Sequence, residues 1–208
     1  MAHLRLAILA SGRGSNFEAI LNSIKQGKLD ASIQVVISNK ASAGALEIAR
    51  QNGIAAVHIS KKQFPGQEQF DEQLLSILNQ YQVNFVVLAG YLKMLSPIVV
   101  RNFKNRILNI HPALLPSFGG KGMYGIHVHE AVLDYGCKVS GVTVHLVDEK
   151  YDTGAPVLQR CVPVQDDDTP EILAARVLKE EHQIFTEALH LFAQDRVEIE
   201  GRKIKIKS

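Results

Sequence analysis

The chain has 208 residues, 46% hydrophobic and 21% charged, with a formal net charge of +2. That length can bury a core as one domain, and near-neutral charge argues against a nucleic-acid footprint or a membrane-surface role. No apolar run reaches the length of a transmembrane helix, and residues 6–10 are too few for a signal-peptide h-region.

Residues 4–10, 33–38, 55–59 and 85–89 are short and almost continuously apolar, as strands covered on both faces are. Between them, Phe17, Ile20, Leu21 and Ile24 recur at helical spacing, as do Phe70, Leu74, Leu75 and Leu78. This alternation predicts an α/β fold: a Rossmann-like, open, mostly parallel twisted sheet with helices on both faces. A fifth strand over 106–110 runs into Asn109-Ile110-His111-Pro112. Residues two apart on a strand share a face, so Asn109 and His111 point into one space at its carboxyl end. Ligands of open parallel sheets bind there. A Gly/Pro-rich loop over 112–125 is of a length that is usually functional. A short helix over 127–135 follows, then strands over 139–147 and 156–164. A long helix starts at Thr169-Pro170-Glu171, with Thr as N-cap and Pro in first position. The basic tail over 202–207 alternates with apolar residues and reads as a solvated edge strand. The expected organisation is one domain over 1–208, in two halves, 1–105 and 106–208.

Four motifs carry chemistry. In "ASGRGSN", Gly12 and Gly14 match the first two glycines of G-x-G-x-x-G, but Phe17 replaces the third and no G-K-[ST] follows. A Gly-rich turn ahead of a helix suits a monophosphate, with Ser15 and Asn16 adding donors; the plainer alternative is a tight turn capped by Ser15. Asn109 with His111 can stabilise an oxyanion and shuttle a proton, or can simply pack under the loop. "DEKYDTGA" offers Asp148, Glu149 and Asp152. Asp152, set by its Thr-Gly turn, would orient His111 and favour its charged form, whereas Asp148 and Glu149 read as a solvated acidic turn. Glu181 interrupts the apolar stripe Leu173, Val177, Ile184, Ala188, which is costly unless it is paired or meets a ligand. His127, His129 and His145 could be imagined as metal ligands with Asp152, but no metal signature joins them and no metal is expected. Cys137 and Cys161 form no C-x-x-C and read as packed thiols in a reducing, cytoplasmic setting.

Together "GRGSN", "VLAGYLKMLS", "LNIHPALLPSF" and "GVTVHLVDEKYDTGAPVLQ" resemble the folate-dependent formyltransferases, over nearly the whole chain. Within that family the likeness is to members acting on glycinamide ribonucleotide. The resemblance implies direct transfer of a formyl group from 10-formyltetrahydrofolate to the amine of that ribonucleotide, in purine biosynthesis, through a tetrahedral intermediate. It implies Asn109, His111 and Asp152 as the catalytic residues, and Gly14, Ser15 and Asn16 as the substrate phosphate loop. It also places Glu181 on the substrate ribose, and Gln67, Leu92, Lys93, Met94, Leu95 and Asn109 on the folate. Lys93 stands where many members have Arg, Gln67 where many are basic, and 117–127 is longer than in the shorter members. The implied partners are small molecules alone, with no nucleic acid and no membrane, in a monomer or homodimer. Hydrolysis of the folate, formylation of an aminoacyl-tRNA or of a sugar nucleotide, and non-catalytic nucleotide binding are the competing readings. The first two would need additional domains for which 208 residues leave no room.

Overall fold

The computed structural model describes residues 3–207. The strands run in the order β3-β2-β1-β4-β5-β6-β7, an open and mostly parallel sheet, and a separate two-stranded hairpin follows. The chain forms two compact units, one ending at Leu108 and the other beginning at Asn109.

In the first unit β1 (Leu4–Leu9), β2 (Ala31–Ser38), β3 (Ala55–His58) and β4 (Phe85–Leu88) pair in parallel. The four residues of β4 are all buried and β1 nearly so, which is why these strands read as unbroken apolar runs rather than alternating ones. Helices α1 (Ser15–Lys25), α2 (Gly44–Gln51) and α3 (Gln67–Gln80) connect them, and α4 (Pro97–Asn102) follows β4. Phe17 and Ile20 of α1 and Leu74 and Leu78 of α3 are almost fully buried, as their spacing predicts. Burying each such side chain stabilises the fold by roughly 1.5–3 kcal/mol. Helix α4 was not expected; its Val99 and Val100 face the core, with Pro97 opening it.

The fifth strand, β5, is Ile107–His111, so it continues through His111 rather than stopping before it. In the second unit β6 (Val139–Leu146) and β7 (Pro156–Pro163) are antiparallel, and α6 (Pro170–Ala193) packs on both and on α5 (Ile126–Asp134). The Thr169 hydroxyl accepts from Ile172 N at 3.3 Å, the expected N-cap. The basic tail is half of a hairpin, with β8 (Val197–Glu200) opposite β9 (Lys203–Ile206), and Glu198 faces Lys205 while Glu200 faces Lys203. Cys161 is exposed on β7, which corrects the expectation that both thiols are packed; Cys137 is half-buried. Side-chain alternation puts Cys161 on the face opposite its buried neighbour Val162, toward the strand's more exposed end.

Candidate active site

The second unit assembles its site around the end of β5. His111 is 3% exposed, and its Nε2 lies 2.8 Å from the carbonyl of Phe118, so Nε2 carries a hydrogen and donates. That leaves Nδ1 facing Asp152 Oδ2 at 3.8 Å, an electrostatic approach longer than a hydrogen bond. The peptide after His111 is held from beneath by β6 and β7. Buried Thr143 donates to the Ala113 carbonyl at 2.7 Å and accepts from Leu115 N at 3.0 Å. The Gln159 amide donates to the Leu115 carbonyl at 2.9 Å.

Asp152 sits on a tight return between β6 and β7 with left-handed backbone, φ 52°. Its Oδ2 accepts from Gly120 N at 2.8 Å. Gly119 makes that approach possible: a Cβ there would stand 2.5 Å from Leu115 Cδ2 and 3.3 Å from Asp152 Cβ. The long loop therefore closes directly on the carboxylate. Asp148 is no solvated acid, contrary to the sequence reading. Its Oδ1 accepts from Lys150 N at 3.0 Å and from the Thr153 hydroxyl at 2.6 Å, an Asx-type turn that shapes the loop. Glu149 is exposed.

His145, on β6, is the member that the spacing arguments did not place. Its Nδ1 donates to the Leu146 carbonyl at 2.8 Å, so Nε2 is the acceptor and takes a hydrogen bond of 3.0 Å from Asn109 Nδ2. Asp152 Oδ1 stands 3.7 Å from the same Nε2. Burial holds the His145 imidazole below the ordinary histidine range, in the neutral state that this acceptor role requires. His129 is likewise buried and pushed down, by burial first and by His111 second. His127 points away, exposed and 2.9 Å from Glu130 Oε2. Among the described residues no group of three or more His, Cys, Asp or Glu is arranged to hold a metal ion.

In the first unit, α1 starts at Ser15 with Gly14 as N-cap, at φ 91°, and no side chain caps it. Ser15 is thus the first helical residue, not the cap. Helix polarity there favours an anion. Gly14 also has a packing reason: a Cβ would lie 2.8 Å from Ala45 Cα and 2.9 Å from Ala45 Cβ. Asn16 is buried. Ser11 ties this loop to its neighbours. Its hydroxyl donates to Asn39 Oδ1 at 2.6 Å and accepts from Leu92 N at 2.9 Å. Leu92, Lys93 and Met94 are exposed beyond it, whereas Leu95 is 4% exposed and anchors the segment in the core. Buried Tyr91 has its phenol pushed up to about 12 by desolvation. The Gln67 amide donates to buried Asp71 at 2.7 Å, a local tie at the start of α3. In the second unit Glu181 is half-buried on α6, amid the buried stripe of Leu173, Val177, Ile184 and Ala188.

Residues 4–189 match the family model described as Formyl transferase. The chain belongs to the formyl transferase family. It is 45% identical over 193 residues to the chloroplastic phosphoribosylglycinamide formyltransferase of Vigna unguiculata, covering 93% of this chain and 62% of that one. It is 37% identical over 196 residues to phosphoribosylglycinamide formyltransferase of Escherichia coli (strain K12), covering 94% and 90%. The crystal structure of glycinamide ribonucleotide transformylase 1 from Symbiobacterium toebii superposes with a TM-score of 0.93 at 42% identity, covering 99% of this chain and 95% of that one. The chain thus spans less than two thirds of the plant relative's length and most of the bacterial ones. Among the described residues no helix is long and apolar enough to cross a membrane.

Within this formyl transferase chain, the structure brings Asn109, His111 and Asp152 together and adds His145 to them. A sequence signal for His145 existed, since it is the one titratable residue of the otherwise mostly apolar β6.

Proposed function

We propose that this protein is a phosphoribosylglycinamide formyltransferase. It would move the formyl group of 10-formyltetrahydrofolate onto the amine of glycinamide ribonucleotide, a step of purine biosynthesis. The observation that carries the reading is the buried His111, faced by Asp152 at 3.8 Å, with the Asn109 amide oriented by His145 beside it. A carboxylate, an imidazole and a fixed amide donor suit acyl transfer through an oxyanion.

The neutral amine attacks the formyl carbon, and the carbonyl electron pair moves to oxygen. Asn109 Nδ2 has two hydrogens; one is engaged by His145, and the second serves the oxyanion. His111 Nε2 supplies the other donor once it exchanges the Phe118 carbonyl for that oxygen. Asp152 balances the charge of the imidazole in the transition state. Collapse of the intermediate breaks the bond to the folate nitrogen, and the proton lost by the amine is delivered to that nitrogen through His111. Every atom and electron is accounted for by the two substrates.

Gly14, Ser15 and Asn16 hold the substrate phosphate and Glu181 contacts the ribose. Leu92, Lys93, Met94 and Leu95, with Gln67 and Asn109, contact the folate. Partners are these small molecules, the setting is cytoplasmic, and the unit is a monomer or homodimer. The halves divided near residue 105 correspond to nucleotide binding and to catalysis with folate binding.

The test is an assay of purified protein with 10-formyltetrahydrofolate, with and without the ribonucleotide. Formylated ribonucleotide formed in step with free folate supports transfer. Folate release that ignores the ribonucleotide means hydrolysis, and no turnover at all removes the reading.

A further inference from the structure

The C-terminal hairpin reaches the loop that carries Asp152 through one charged bond. Arg202, at the β8–β9 turn, donates from its guanidinium to the carbonyl of Thr153 at 2.7 Å. Thr153 directly follows Asp152. The loop also has ties of its own. The Thr153 hydroxyl is bound to Asp148, and Gly154 lies so near the Leu146 carbonyl that a Cβ would come within 1.7 Å of it. Those ties fix the side chain of Thr153 and the backbone after it. The peptide plane between them is set from outside, by Arg202.

We propose that Arg202 is a positioning residue for Asp152, and that the hairpin is a brace on the catalytic loop; the proposal rests on the formyl-transfer reading of that loop. Three features of the hairpin suit it to bracing. Its open end is closed by Lys207 N donating to the Arg196 carbonyl at 2.8 Å, and by Arg196 Nε donating to the Lys207 carbonyl at 2.7 Å. Its strands are cross-linked by Lys205 to Glu200 at 2.6 Å. Its root follows α6 directly, which packs on β6 and β7, the two strands that flank the loop. A guanidinium bond to a carbonyl is charge-assisted and stronger than a neutral one. The basic tail would then be retained for its grip on the loop, not for a polyanion.

Gly120 N, which donates to Asp152 Oδ2 at 2.8 Å, reports the position of the carboxylate by its hydrogen exchange. Arg202→Ala is expected to speed exchange at Gly120 at least about fivefold and to lower kcat about 5–20-fold, with both KM values within about twofold. Lys203→Ala removes a neighbouring exposed cation of the hairpin while leaving the Lys205 cross-link and the Arg202 bond in place, and is expected to leave both readouts at wild-type values. Unchanged Gly120 exchange in Arg202→Ala overturns the proposal, as does unchanged kcat in an otherwise active enzyme, or Lys203→Ala reproducing the Arg202 effect. If the wild type shows no formyl transfer, the functional reading fails instead, and Gly120 exchange still decides whether Arg202 positions Asp152.

Discussion

Asn109 and His145 are joined by a 3.0 Å hydrogen bond whose direction is dictated by a third group, the Leu146 carbonyl on His145 Nδ1. Because that carbonyl takes the only ring hydrogen, Nε2 must accept, and the Asn109 amide must present nitrogen rather than oxygen. An amide turned the other way would offer a lone pair to a developing oxyanion and repel it. His145→Phe keeps a planar aromatic ring and removes the acceptor. It is expected to lower kcat by about tenfold or more with little change in either KM, as loss of an oriented transition-state donor does. Steady-state kinetics with both substrates varied would show it; an unchanged kcat would mean that Asn109 is oriented without His145.

His111→Ala and Asp152→Asn are each expected to lower kcat by at least about 10²-fold, the usual reach of an acid–base or oxyanion group. The double variant should lose less than the product of the two, because both residues serve one charged imidazole. Full activity in either single variant would remove the mechanism.

Stability should depend on pH through the two buried histidines. His129 and His145 are both held below the ordinary histidine range, in each case mainly by burial. In the unfolded chain they take up protons near pH 6.5, earlier than in the folded one. Stability is therefore full above that pH and declines as pH falls through 6.5 toward the lower folded values. The slope is at most about 1.4 kcal/mol per pH unit for each histidine. Urea unfolding at about pH 7.5 and 5.5 measures the decline, and His129→Gln should make it shallower; a flat profile would refute the assignment.

Gly14 should respond to substitution in folding before it responds in binding. Gly14→Ala meets both a left-handed backbone and the Ala45 contact at 2.8 Å. Strain and overpacking together are expected to cost about 2–4 kcal/mol. Chemical unfolding would detect that loss, and a variant as stable as wild type would show that α2 yields easily at Ala45.

Much of this was readable from residues alone, and the rest fails for definite reasons. The face shared by Asn109 and His111 follows from the period of a strand, a local rule. The acceptor for Asn109 follows from the position of His145 on another strand, 36 residues later, which no local rule supplies. The glycines of residues 10–16 are legible as a turn, but the pressure of Ala45 on Gly14 is a tertiary contact. Asp148 looked like a solvated acid because composition cannot tell an exposed carboxylate from one turned inward onto its own loop. The hairpin is legible from both halves together: "VEIE" and "KIKI" alternate on either side of Gly-Arg with complementary charge, whereas the basic half alone carries no sign of its partner.

The left-handed backbone of Asp152 narrows what evolution or an experimenter can place there. At φ 52° asparagine, aspartate and glycine are tolerated, whereas a longer or branched side chain meets a steric cost before its chemistry matters. Asparagine is thus the substitution that removes charge while leaving the turn alone. Glutamate, the nominal conservative replacement, changes the shape of the loop as well as its reach. A series of variants at this position would sort first by conformational fit and only then by acidity.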